Sequence, residues 1–167
     1  YGAGCITATG TSSVSRDCRI YRSTNSVPGG TYEFYLQNGS DTLFRNCDIS
    51  GMVRVYVFAV VGAASGTKTG SGLTIDGSNI HDTYVFPGAA DSYGVHLYWS
   101  SALGSNVTGN TIINSNIYNI NSGSANNYGI YIQGPALGWV YQHTISGTSI
   151  YNITSGSSYA DGVYWLY

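Results

Sequence analysis

The sequence predicts an all-β domain built from about five repeated, stacked turns of chain. Two observations carry that expectation. Helical periodicity is almost absent, and short apolar runs are punctuated by Gly, Asn and Ser, which marks short strands joined by turns. One phrase also recurs along the chain: SRDCRIY at 15–21, FRNCDIS at 44–50, IDGSNIH at 75–81, IINSNIY at 112–118 and ISGTSIY at 145–151. Anchored on Ile20, Ile49, Ile80, Ile117 and Ile150, the copies lie 29, 31, 37 and 33 residues apart. The variable lengths fall between the phrases, as in repeat proteins whose insertions sit in loops.

Each position in the repeat has a physical reading. The anchor is always Ile, an inward β-branched residue. Two residues earlier stand Cys18, Cys47, Ser78, Ser115 and Thr148, all small. Three residues earlier stand Asp17, Asn46, Gly77, Asn114 and Gly147. These residue types tolerate positive φ, so the column marks a left-handed corner between two short strands. A second element follows each corner, written TYEFYLQN at 31–38, more tightly GMVRVYVF at 51–58, SYGVHLYW at 92–99, NYGIYIQG at 127–134 and ADGVYWLY at 160–167. Its expected inward pairs are Phe34/Leu36, Val55/Val57, Val95/Leu97, Ile130/Ile132 and Val163/Trp165. With turns stacked about 4.8 Å apart, Arg19 falls over Asp48, Glu33 over Arg54 and Arg45 over Asp76. Three opposite-sign pairs support this register.

The strand and corner together, YGIYIQGP followed by HTISGTSIYNI, resemble the repeat of the pectin-lyase-like superfamily over roughly residues 14–167. The resemblance implies a single-stranded right-handed parallel β-helix of about five coils. No capping helix is visible. Residues 1–167 then form one domain, with 1–13 as an N-terminal segment.

Composition narrows the function. Of 167 residues only 8% are charged, the net charge is −2, and Tyr, Gly, Ser, Thr and Asn abound. Nucleic-acid binding and disorder do not fit this balance. No apolar run reaches the length of a membrane span. The Tyr-rich, Lys-poor composition is that of an extracellular or cell-surface protein. Three sequons occur: Asn38 and Asn106 fall in expected loops and are glycosylation candidates. Asn152 shares a column with Asp82 and Asn119 and is expected to point inward.

Between the inward residues lies an expected outward stripe of Tyr35, Tyr56, His96, Tyr131 and Tyr164, a platform for sugar rings or for packing against another copy. Beside it Gly94, Gly129 and Gly162 are expected to clear space. A second outward column reads Tyr21, Ser50, His81, Tyr118 and Tyr151. Of the three cysteines, Cys18 and Cys47 share a column in adjacent turns, at a spacing that permits a disulfide. Cys5–Cys18 is equally open, Cys5–Cys47 less so. No cysteine pair has zinc-ligand spacing, and neither a metal nor a cofactor is expected.

Enzymes resembling this fold cleave acidic polysaccharides with clustered carboxylates. Three of the eight Asp and Glu, Glu33, Asp48 and Asp76, are already placed in cross-turn pairs, and no paired carboxylates share a face as glycoside hydrolysis needs. The best remaining cluster is His81, Asp82, Asp91 and His96. His96, Tyr56 and Asp91 are the fallback acid–base set, against the plainer reading that His96 replaces Tyr in its column. The expectation is therefore an extracellular structural protein, not an enzyme, whose copies stack head to tail into a surface filament. The alternatives are a secreted carbohydrate-binding or lyase-like β-helix, or a piece of a larger adhesin or phage tail protein.

Overall fold

A computed structural model describes residues 6–9, 13–16, 19–21, 32–37, 42–51, 56–61, 69–85, 91–98, 106–122, 126–134, 142–156 and 159–166. Period-two alternation interrupted by Gly, Asn and Asp gives strands of three to seven residues throughout. In chain order they are β1 (Ile6–Thr9), β2 (Ser13–Arg16), β3 (Arg19–Tyr21), β4 (Tyr32–Gln37), β5 (Thr42–Arg45), β6 (Asp48–Ser50), β7 (Tyr56–Val61), β8 (Thr69–Ser71) and β9 (Leu73–Asp76). There follow β10 (Asn79–Val85), β11 (Ser92–Tyr98), β12 (Asn106–Thr108), β13 (Thr111–Ile113), β14 (Asn116–Ser122), β15 (Asn127–Gln133), β16 (Thr144–Ser146), β17 (Ser149–Ser155) and β18 (Ala160–Leu166). No helix among the described residues is long and apolar enough to cross a membrane.

Among the described residues every pairing is parallel, and the chain visits three sheets in rotation. The first sheet runs β1-β4-β7-β11-β15-β18, the second β2-β5-β9-β13-β16 and the third β3-β6-β10-β14-β17, with β8 and β12 forming a separate pair. Between the second and third sheets the chain turns at a single left-handed residue: Asn46, Gly77, Asn114 and Gly147 have φ of 54°, 59°, 51° and 60°. The alternation of Asn and Gly has a steric cause. A Cβ on Gly77 would lie 2.7 Å from Asn46 Oδ1, and one on Gly147 would lie 2.8 Å from Asn114 Oδ1. Each Asn side chain fills the space that a Cβ on the next corner would need. A second left-handed column, Gly51, Asp82, Asn119 and Asn152, interrupts the ladders of the third sheet after Ser50, His81, Tyr118 and Tyr151.

The five anchoring isoleucines are in register, Ile20 on Ile49, Ile80, Ile117 and Ile150. In the first sheet, the second turn departs from expectation by three residues. Phe34 pairs with Phe58 and Leu36 with Val60, and Phe58 and Val60 in turn pair with Val95 and Leu97. Phe58 and Val60 therefore hold the positions assigned to Val55 and Val57. The linker after Ser50 is longer than in the tight second turn expected from GMVRVYVF, and it takes up the difference. Arg54 lies outside the described residues, and this register removes its alignment with Glu33. Of the other two ion pairs, Arg45 Nε meets Asp76 Oδ2 at 2.9 Å. Arg19 stands opposite Asp48 in the ladder.

The core is built of stacked columns. Phe34, Phe44, Ile49, Leu73, Ile75, Ile80, Val95, Leu97, Ile112, Ile117, Ile120, Ile130 and Ile132 are buried together, with Ile150 and Ile153 packed against them. Each such side chain contributes about 2 kcal/mol of burial. The small column beside the corner has a polar task. Ser78 Oγ accepts from Cys47 N at 3.1 Å, and Ser115 Oγ accepts from Ser78 N at 3.2 Å. The hydroxyls of Ser78, Ser115 and Thr148 donate to carbonyls of the second sheet, as Ser115 does to Ile113 at 2.7 Å. Corner N–H groups that would be buried without a strand partner are satisfied by a hydroxyl from the next turn.

Candidate functional site

The first sheet builds one aromatic cluster. Its alternation breaks at Gly94 and Gly129, which the ladder skips between the pairs Tyr93–Tyr128 and Val95–Ile130. The break turns Tyr93 to the same side as His96, so the two rings stack at 4.7 Å. Tyr128 and Tyr131 follow in the next strand, and Tyr131 stacks on Tyr164 at 5.3 Å. These rings are buried, not exposed: Tyr93, Tyr128 and Tyr131 form their own cluster with Tyr164 packed against it, and His96 is only 6% exposed.

The expected stripe is thus corrected in membership, and in the exposure of His96 and Tyr131. Tyr35, His96, Tyr131 and Tyr164 share a column, but its second-turn member is Ala59. Tyr56 belongs to a different column, Tyr32–Tyr56–Tyr93–Tyr128, which continues to Asp161. Sequence reasoning missed this column although its signal is present: a Tyr two residues before the first inward residue, as in Tyr32/Phe34, Tyr56/Phe58, Tyr93/Val95 and Tyr128/Ile130. The glycines do not clear space beside the rings either. They let the strand approach the third sheet, where a Cβ on Gly129 would lie 2.5 Å from Ile150 Cγ2.

Electrostatics in the cluster follow from burial. Burial lowers the His96 imidazole to about 4 against the opposing effect of its hydrogen bond with Gln133, so the ring is neutral near pH 7. Burial first, then the Asp91 carboxylate, raises the Tyr128 hydroxyl to about 12. Asp91 is already engaged: Tyr93 Oη donates to Oδ2 at 3.1 Å and Asn126 N donates to Oδ1 at 3.1 Å. Of the fallback set of His96, Tyr56 and Asp91, the structure describes the side chains of His96 and Asp91. His96 is enclosed by rings, Asp91 is held by Tyr93 and Asn126, and Tyr56 stands opposite Tyr93.

The third sheet carries an accessible column. His81, Tyr118 and Tyr151 stack at 4.7 and 4.9 Å with interplanar angles of 1° and 2°. Beside them runs an amide ladder at the second left-handed corner: Asn152 Nδ2 donates to Asn119 Oδ1 at 3.2 Å, and Asn119 Nδ2 donates to Asp82 Oδ1 at 2.7 Å. The bond from Asn119, and after it the one from His81, lowers the Asp82 carboxyl below its usual value. His81 lies between two carboxylates, Nε2 2.9 Å from Asp48 and Nδ1 2.8 Å from Asp82. Asn152 is exposed in this ladder, contrary to its expected inward orientation. Rings stacked coplanar along the sheet turn their faces toward one another and their edges outward. A sugar ring packs on an aromatic face, and among the described rings of this column Tyr151 is the most exposed, at 47%.

Of the remaining candidates, Asn106 lies in β12 paired with Thr69 of β8, not in a loop. Asn38, Cys5 and Cys18 lie outside the described residues, and the disulfide expectation with them; Cys47 is buried. Among the described residues, no three His, Cys, Asp or Glu side chains are grouped to hold a metal. Compared with protein-family models, with curated proteins and with solved structures, the chain has no match.

Proposed function

We propose that the chain winds as a single-stranded right-handed parallel β-helix resembling the pectin-lyase-like repeat, and that it serves as an extracellular structural subunit whose copies add end to end. The rotation of the chain through three parallel sheets supports the winding, and the crossover rule for parallel strands gives its hand. One observation carries the functional reading. The set β16, β17 and β18 forms one edge of all three sheets, and there Ile145, Tyr151, Val163, Trp165 and Leu166 are exposed. Apolar columns of this kind call for a further turn to cover them, and an open strand edge recruits strands. The residues here are the same apolar types that fill the inner turns. The extracellular setting rests on the low charge and the Tyr-rich composition.

A glycan platform is less well supported, because the stacked rings present edges and the first-sheet cluster is buried. The test is negative-stain microscopy together with sedimentation velocity on the purified chain over a wide concentration range. Unbranched filaments that lengthen with concentration are expected. Monodisperse monomers at every concentration would overturn the reading.

A further inference from the structure

The third sheet holds a pair of tyrosines in which position, access and anchoring coincide. Tyr118 and Tyr151 stand directly opposite each other in the parallel ladder of β14 and β17, so their side chains leave the sheet in the same direction. The rings lie 4.9 Å apart at an interplanar angle of 2°. Burial first, then the Tyr151 hydroxyl and the Asp82 and Asp48 carboxylates, raise the Tyr118 hydroxyl above its ordinary value, as expected where the two phenol groups lie at the same end of the stack. The opposite face of Tyr118 is closed by His81, 4.7 Å away at 1°. That imidazole is anchored at both nitrogens, Nε2 2.9 Å from Asp48 and Nδ1 2.8 Å from Asp82. Tyr118 carries a ring on each face and is still partly exposed, so solvent reaches the column through the ring edges, whatever lies beyond Tyr151.

We propose that Tyr118 and Tyr151 are an oxidative coupling site, joined as dityrosine by a haem peroxidase and hydrogen peroxide, and that the bond staples two adjacent turns. The oxidised haem takes one electron and one proton from each phenol. The two phenoxyl radicals combine through a Cε carbon of each ring, and the hydrogen on each joined carbon moves to the oxygen as the rings regain aromaticity. The pair loses two hydrogens in all, and the peroxide leaves as two waters. Phenoxyl radicals ordinarily meet by diffusion. Here the ladder holds the partners in adjacent places, so coupling within the chain outruns coupling between chains. Tyr131 and Tyr164 also stack, at 5.3 Å and 16°. Tyr131, however, is only 9% exposed and is packed against Tyr93 and Tyr128, which shields it from the oxidant and holds its ring in place. His81 does not compete for the radical, because both of its nitrogens are already engaged. A link between turns restrains the unfolded chain as a disulfide does.

The experiment oxidises the dilute full chain with a catalytic amount of haem peroxidase and hydrogen peroxide. It follows dityrosine fluorescence, the intact mass of the monomer after disulfide reduction, and the thermolysin peptides. A monomer lighter by two hydrogens is expected, with the Tyr118 segment joined to the Tyr151 segment as the main linked product. Tyr118→Phe and Tyr151→Phe keep a ring in the stack and should each remove most of the monomer's fluorescence; Tyr131→Phe should leave it unchanged. The linked chain should unfold at a higher urea midpoint than the unoxidised one. Fluorescence that persists in both Phe variants, links mapped mainly to other tyrosines, or a monomer that gains no link would overturn the coupling site. A linked chain with no rise in midpoint would overturn the staple. The proposal is independent of the end-to-end reading, and these outcomes leave that reading untouched.

Discussion

Replacing Gly129 with alanine places a methyl group where the structure has no room. Its carbon would lie 2.5 Å from Ile150 Cγ2 and 2.7 Å from the Gly162 carbonyl oxygen, about 1 Å inside normal contact. Overpacking of this kind costs about 1–3 kcal/mol. The carbonyl belongs to the β18 backbone, which can retreat only by straining its ladder with β15, so the upper part of that range applies. A stiffer unfolded chain returns about 0.4–1 kcal/mol. The net loss is about 2 kcal/mol, read as a fall of about 1 M in the urea midpoint. Gly162→Ala makes the same chemical change in the same column without the obstacle, since its nearest neighbour is 3.6 Å away. It should leave a dilute monomer unchanged or more stable by up to about 1 kcal/mol. Equal midpoint shifts for the two variants, followed by circular dichroism at concentrations below assembly, would refute the packing argument.

Three further outcomes follow from the same geometry. Ser78→Ala removes the acceptor of the Cys47 N–H and a donor to the Phe44 and Asp76 carbonyls; a loss of about 1–3 kcal/mol is expected in urea unfolding, and Thr, which serves at position 148, should restore part of it. His96 is held neutral down to about 4 in the folded chain while the unfolded chain takes up its proton near 6.5, so its contribution is complete above pH 6.5 and is lost as pH falls from 6.5 toward 4, by about 3 kcal/mol in all. His96→Phe should flatten that part of the stability–pH profile, although burial lowers His143 in the same direction and leaves a residual slope. Ile117→Ala, at a fully buried position, should cost about 2–5 kcal/mol, whereas Ile150→Ala at the partly buried end of the same column should cost a dilute monomer clearly less.

What was legible in the sequence was whatever a side chain declares by its own chemistry. Asn46, Gly77, Asn114 and Gly147 announced a left-handed corner because few other residues tolerate one, and their φ values agree. The isoleucine anchors and the small column beside them were equally plain, because each turn repeats them. Exposure was not legible. Outward alternation assigned Tyr131 and His96 to the surface, but Gly94 and Gly129 break the alternation and bring Tyr93 and Tyr128 alongside them. The register of the second turn failed for a different reason. Within GMVRVYVFAVV two Tyr-free alternations fit equally well, and the choice turned on linker length, which no local pattern records. Only the pairing of Tyr56 with Tyr32 and Tyr93 decides it.

The size of the exposed edge dictates which contacts must hold copies together. Six large apolar side chains there, Ile145, Tyr151, Tyr159, Val163, Trp165 and Leu166, are between one third and two thirds exposed. Covering them yields about 1 kcal/mol each, roughly 6 kcal/mol in total. Association costs about 4–15 kcal/mol before any gain appears, so apolar burial alone does not sustain assembly. The remainder has to come from backbone hydrogen bonds along β16, β17 and β18, which require close approach of the whole edge. A single side-chain truncation at this edge should therefore act weakly. Val163→Ala removes under about 1 kcal/mol of the contact and should weaken assembly by at most about fivefold. If Val163→Ala abolished assembly in sedimentation, side-chain packing and not the strand ladder would be the source of cohesion.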